Sequence, residues 1–86
     1  MIHNLKTWTE FYQAVTRGGK TFEIRKNDRD FKVGDLLNLI EVLPEKNFKP
    51  TGNTSLFDIT YILKGSEWGL DENVVVMSIR RVNNER

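Results

Sequence analysis

The chain has 86 residues, 13 lysines and arginines against 12 aspartates and glutamates, a formal charge of +1 and no cysteine. That length implies one domain, 1–86, with one limited core, and the lack of cysteine excludes the disulfide frameworks of small secreted domains, so a cytoplasmic setting is expected. The balanced charge excludes nucleic-acid binding driven by bulk field alone, no apolar run approaches the roughly 20 residues of a membrane span, and MIHNLKTWTE lacks the apolar core of a secretory signal.

In chain order, MIHNLK reads as a short first strand, with His3 and Leu5 on one face and Lys6 on the other. His3 is the only histidine, which with no cysteine argues against a transition-metal site; a hydrogen-bonded, half-buried His3 is the expectation. Thr7 followed by Glu10 has the spacing of a capping box, which predicts a helix over 7–17. Its apolar stripe would be Trp8, Phe11, Tyr12 and Val15, and Gly18 or Gly19 would end it.

From Lys20 the apolar period changes to two. The alternation sends Phe22 and Ile24 to one face and Thr21, Glu23 and Arg25 to the other, and the expectation puts Phe22 and Ile24 inside. NDRD and VGD are turns, LLNLIEVL is a strand, and the stretch from Leu43 to Ser55, with both prolines, reads as a long loop. LFDITYIL alternates Phe57, Ile59, Tyr61 and Leu63 towards the core; NVVVMSIRRV does the same with Val75, Met77 and Ile79. Leu37 and Leu39 complete the predicted core, and the tail, 83–86, should fray. One helix followed mainly by strands predicts an α+β domain, with the helix packed beside a small β-barrel of about five or six strands.

The charged residues define the candidate site. Residues two apart on a strand share a face about 7 Å apart, so Glu23 and Arg25 are neighbours, and Lys20 enters the same strand just beyond the helix end. Arg25 offers a planar fork for phosphate or a carbonyl edge, Glu23 accepts from an amine or acts as a base, and Lys20 supplies a point charge. The same three residues also satisfy a plain cross-strand ion-pair network. Lys6 can approach the cluster from the first strand. Lys26, Asn27, Arg29 and Lys32 form a basic, amide-bearing turn beside it, a candidate for meeting phosphates, tempered by Asp28 and Asp30. Trp68, in the loop KGSEWGLDEN, has no apolar pattern around it and is a candidate stacking residue.

Gly18, Lys20, Glu23 and Arg25 fit the pattern G-x-K-x-x-E-x-R. In that signature, in the helix before it and in the FKVGD turn after it, the chain resembles the ASCH domain family, as a small stand-alone member of bacterial or phage type. The resemblance covers roughly residues 2–82. It implies a PUA-like barrel with a cleft between helix and barrel, and RNA or nucleotide binding through Lys20, Glu23 and Arg25, without cofactor, metal or membrane. A branch of that family hydrolyses N4-acetylcytidine and related amides, and the chain resembles it at Gly18, Lys20, Thr21 and Arg25. It departs at Glu23, where that branch carries a threonine thought to be the nucleophile; an enzyme here would have to use Lys20 and Glu23 on water. The resemblance leaves three functions open: an RNA- or nucleotide-binding module, an amidohydrolase of an acylated nucleoside, and an accessory domain that binds a protein partner.

Overall fold

The computed structural model describes residues 1–82; the expected fraying of 83–86 falls outside the described residues. The elements are β1 (Ile2–Trp8), α1 (Thr9–Thr16), β2 (Phe22–Lys26), β3 (Leu36–Leu43), β4 (Lys49–Lys64) and β5 (Val74–Arg81), with single 3-10 turns at Pro44–Lys46 and Gly65–Trp68. The five strands form one sheet in the order β1-β3-β4-β5-β2. β1 and β3 run parallel and the other neighbours antiparallel. The sheet curls into a half-barrel with α1 beside it, so the α+β reading and the barrel-like form hold. No helix among the described residues is long and apolar enough to cross a membrane.

The inner face carries Leu5, Leu37, Leu39, Phe57, Ile59, Val75, Met77 and Ile79, and α1 adds Tyr12 and Val15. Phe31, in the turn before β3, closes one end and packs edge-on against the ring of His3. His3 is buried, with Nε2 2.8 Å from an Asp35 carboxylate oxygen. That bond is the main cause of the Asp35 carboxyl being held below its ordinary value.

Several expectations need correction. Thr7 does not cap the helix. β1 stays paired with β3 as far as Trp8, so Thr7 is an inward strand residue, and α1 begins at Thr9 with no side-chain cap. The predicted loop from Leu43 to Ser55 is mostly strand: β4 runs 16 residues from Lys49. Its pairing with β3 is irregular between Ile40 and Val42, and this break accommodates Pro50 and Gly52 (φ +99°). A second irregularity between Ile59 and Tyr61 reverses the phase, so Tyr61 is exposed and Ile62 packs on the core instead.

The largest correction concerns β2. Phe22 and Ile24 are 44% and 49% exposed, and Glu23 is 4% exposed. The cause is register. Directly paired residues of an antiparallel ladder share a face, and Glu23 pairs with Met77 and Arg25 with Val75, both core residues. The charged face of β2 therefore points inward, and its apolar face points out.

Candidate functional site: a cleft at the seam of the half-barrel

An open sheet has two edges whose backbone groups lack partners. Here the edges are β1 and β2, and arginine side chains bridge them. Arg25 Nη2 donates to the Lys6 carbonyl at 2.9 Å and to Thr7 Oγ1 at 3.4 Å. Arg29 Nη1 donates to the Asn4 carbonyl at 2.9 Å. The seam is thus stitched by side chains, and a cleft opens between the edges and the helix.

Glu23 lies at the floor of this cleft. Arg25 Nε donates to its Oε2 at 2.6 Å and Lys20 Nζ to its Oε1 at 3.2 Å. A carboxylate has about four acceptor positions, so each oxygen keeps capacity for a further donor. Lys20 Nζ also donates to the Phe22 carbonyl at 2.8 Å. It sits 4.8 Å from the centroid of the Phe22 ring and 5.8 Å from that of Phe11, within reach of cation–π attraction.

The cleft encloses about 370 Å³ and is walled by Trp8 and Phe11 on one side and Phe22 and Ile24 on the other, with Lys6 and Thr7 at the β1 edge. Trp8 and Phe11 stack at 6.0 Å with 22° between their planes. Phe48 extends this surface, 6.4 Å from Trp8; it and Asn47 both hold positive φ, 62° and 59°, an uncommon conformation for a bulky side chain.

The structure brings Lys20, Glu23, Arg25 and Lys6 to one cleft. Lys26 and Arg29 line a second depression on the other side of Arg25. Asn27 is engaged in its turn, its Oδ1 accepting from the Phe31 backbone N–H at 3.1 Å. Trp68 is 69% exposed on the 3-10 turn after β4 and lines neither cavity. Thr21 lines neither as well. Among the described residues no group of three His, Cys, Asp or Glu side chains could hold a metal ion.

Sequence reasoning assigned Trp8, Phe11, Phe22 and Ile24 to the core, and they are the walls. For Phe11 the reason is the length of the helix: α1 is only eight residues long, and Tyr12 and Val15 fill its inward face. Phe48 gave no signal, since its position depends on the left-handed turn.

A second buried carboxylate supports the cleft from behind. Glu41, 2% exposed, accepts from Thr9 Oγ1 (2.5 Å) and Gln13 Nε2 (3.0 Å) on α1, and from Thr51 Oγ1 (2.7 Å) and Asn53 Nδ2 (3.0 Å) in the irregular part of β4. These donors, Thr9 foremost, hold its carboxyl down from 4.5 to about 2. No cation pairs with it among the described residues. It fixes α1, which carries Phe11 and follows directly on Trp8 at the end of β1, against β3 and β4.

Residues 2–79 match the family model described as Domain of unknown function (DUF3850). No curated protein matches the chain.

Proposed function

The chain belongs to the DUF3850 family, whose description assigns no activity, and from the cleft itself we propose that the protein is an RNA- or nucleotide-binding module of ASCH type, on a PUA-like barrel. A planar base enters between Trp8–Phe11 and Phe22–Ile24. The Glu23 carboxylate accepts from its amino edge. Lys20 and Arg25 hold that carboxylate in its orientation.

The observation that carries this reading is the buried carboxylate at the floor of an aromatic-walled cleft, with acceptor positions to spare. Ligand sites combine apolar walls with a few convergent polar groups, and aromatic side chains stack on any base face. An ion-pair network alone gives no reason to leave four large apolar side chains half exposed around it. A hydroxyl nucleophile finds no support, since Thr7 is the only hydroxyl side chain lining the cleft among the described residues and it is buried, donating to the Leu5 carbonyl; an amidohydrolase here would still have to use Lys20 and Glu23 on water.

Trp8 fluorescence tests the proposal. In a Trp68→Phe background Trp8 is the sole tryptophan, and nucleosides and short single-stranded RNAs are titrated in. Quenching should follow binding. Cytosine, adenine or guanine should be preferred to uracil, because a carboxylate accepts and cannot donate. Glu23→Gln should relax that preference. If no base or RNA perturbs Trp8, or if Glu23→Gln leaves the preference unchanged, the proposal is wrong. Saturable perturbation by a peptide alone would move the apolar walls to a protein partner, and turnover of acetylated cytidine would restore the enzyme reading.

A further inference from the structure

Arg25 lines two cavities. One is the cleft; the other, of about 250 Å³, lies along the seam towards the β2–β3 turn and is lined by Leu5, Arg25, Lys26, Asp28, Arg29 and Phe31. We propose that this second depression is an anion subsite in which Arg25, Lys26 and Arg29 hold the phosphate of the nucleotide whose base occupies the cleft. This rests on the base-binding reading for the identity of the ligand, while the anion subsite itself rests on the following geometry.

Three cationic side chains face the depression against one carboxylate. Asp28, with its side chain 75% exposed, lies 4.0 Å from Arg29 Nε, beyond hydrogen-bond range. The floor is apolar: Leu5 and Phe31 are both buried. A concave surface with an excess of positive charge over an apolar floor favours an entering anion.

The donors are also unspent. Arg25 commits Nε to Glu23 and Nη2 to β1, and its Nη1 has no partner among the described residues. Arg29 commits Nη1 to the Asn4 carbonyl and keeps Nη2. Lys26 has neither ion pair nor side-chain hydrogen bond among the described residues. The two arginines are already held by β1 carbonyls, so an anion meets guanidinium forks whose rotamers are fixed. A base on one side of Arg25 and a phosphate on the other would use both faces of the stitch.

The test compares a nucleoside, cytidine, with its 5′- and 3′-monophosphates by calorimetry, and follows backbone amides 26–31 by NMR during addition of inorganic phosphate or of chloride at equal ionic strength. At least one monophosphate should bind about tenfold or more tighter than cytidine, as expected of hydrogen bonds to a charged group. Lys26→Ala and Arg29→Ala should abolish that difference and leave cytidine binding unchanged. Lys26→Ala covers the case in which Arg29→Ala opens the seam. Phosphate, and not chloride, should shift amides 26–31. Equal binding of cytidine and both monophosphates, or equal shifts with chloride, overturns the subsite. Phosphate-specific shifts with no nucleoside or nucleotide in the cleft keep the anion subsite and overturn the base-binding reading.

Discussion

Glu41 gives the sharpest test of the packing. Its carboxylate joins α1 to the β3–β4 pair through four neutral donors, and its carboxyl is held from 4.5 down to about 2. Each pH unit of such a shift is worth about 1.4 kcal/mol, which sets an upper limit of about 3 kcal/mol; screening by the nearby solvent brings this to about 2 kcal/mol. The folded value lies below the unfolded one. The contribution is therefore fully present above pH 4.5 and is lost as the pH falls towards 2.

Glu41→Gln removes the charge and presents an amide N–H₂ where an acceptor is needed. The expected loss at pH 7 is about 2 kcal/mol, read from urea unfolding. Asp35 is also held low, so the quantity to follow is the difference between wild type and variant. It should be constant from pH 7 to pH 5 and shrink as Glu41 protonates in wild type. A difference that stays constant down to pH 2.5, or a variant as stable as wild type at pH 7, refutes the reasoning.

Phe22→Ala should cost at most about 1 kcal/mol of stability, because the ring is half exposed, yet weaken base binding about tenfold; Leu39→Ala, fully buried, should cost about 2–5 kcal/mol in urea unfolding. Arg25→Ala should destabilise by about 2 kcal/mol, since it takes the nearer of two cations from a buried carboxylate, leaving Lys20, and releases β1; an unchanged urea midpoint would show that the seam does not depend on it. Gly65→Ala should lower the thermal midpoint, at a cost of about 1–3 kcal/mol, because a Cβ there would lie 2.8 Å from the Val74 carbonyl and 2.9 Å from Leu70 Cβ.

Much of the candidate site was legible because strand alternation is local. The spacing of Glu23 and Arg25 puts them on one face whatever that face meets, and Lys20 follows from the helix end. Which face points inward is not local. A strand with period two has two mirror solutions, and apolar content favours Phe22 and Ile24 inside. Pairing with β5 decides otherwise, through partners 48 to 56 residues away. Tyr61 fails for a related reason: a one-residue irregularity in the β4–β5 ladder reverses the phase, and nothing in LFDITYIL marks it. The stretch around Pro50 and Gly52 carries true turn signals, but they mark a break within a strand, held by the Glu41 carboxylate from the neighbouring strand β3.

The inverted register of β2 and the open seam have one physical origin. If Phe22 and Ile24 pointed inward, β2 would bring apolar side chains to the gap facing β1, and nothing there would satisfy the Asn4 and Lys6 carbonyls. With Arg25 inward, the edge carbonyl of Lys6 gains a charged donor, and Arg29 serves Asn4 in the same way. A partly buried guanidinium at such a place gains from a counter-charge, which Glu23 supplies from the same strand face. Glu23, now buried, takes its second cation from Lys20. Each charge of the cluster thus follows from the previous one, starting from two edges that do not meet through backbone bonds. The apolar face, turned outward by the same register, has no covering element and becomes a wall of the cleft. A cleft with a charged floor and aromatic sides is what this way of closing a small sheet leaves behind.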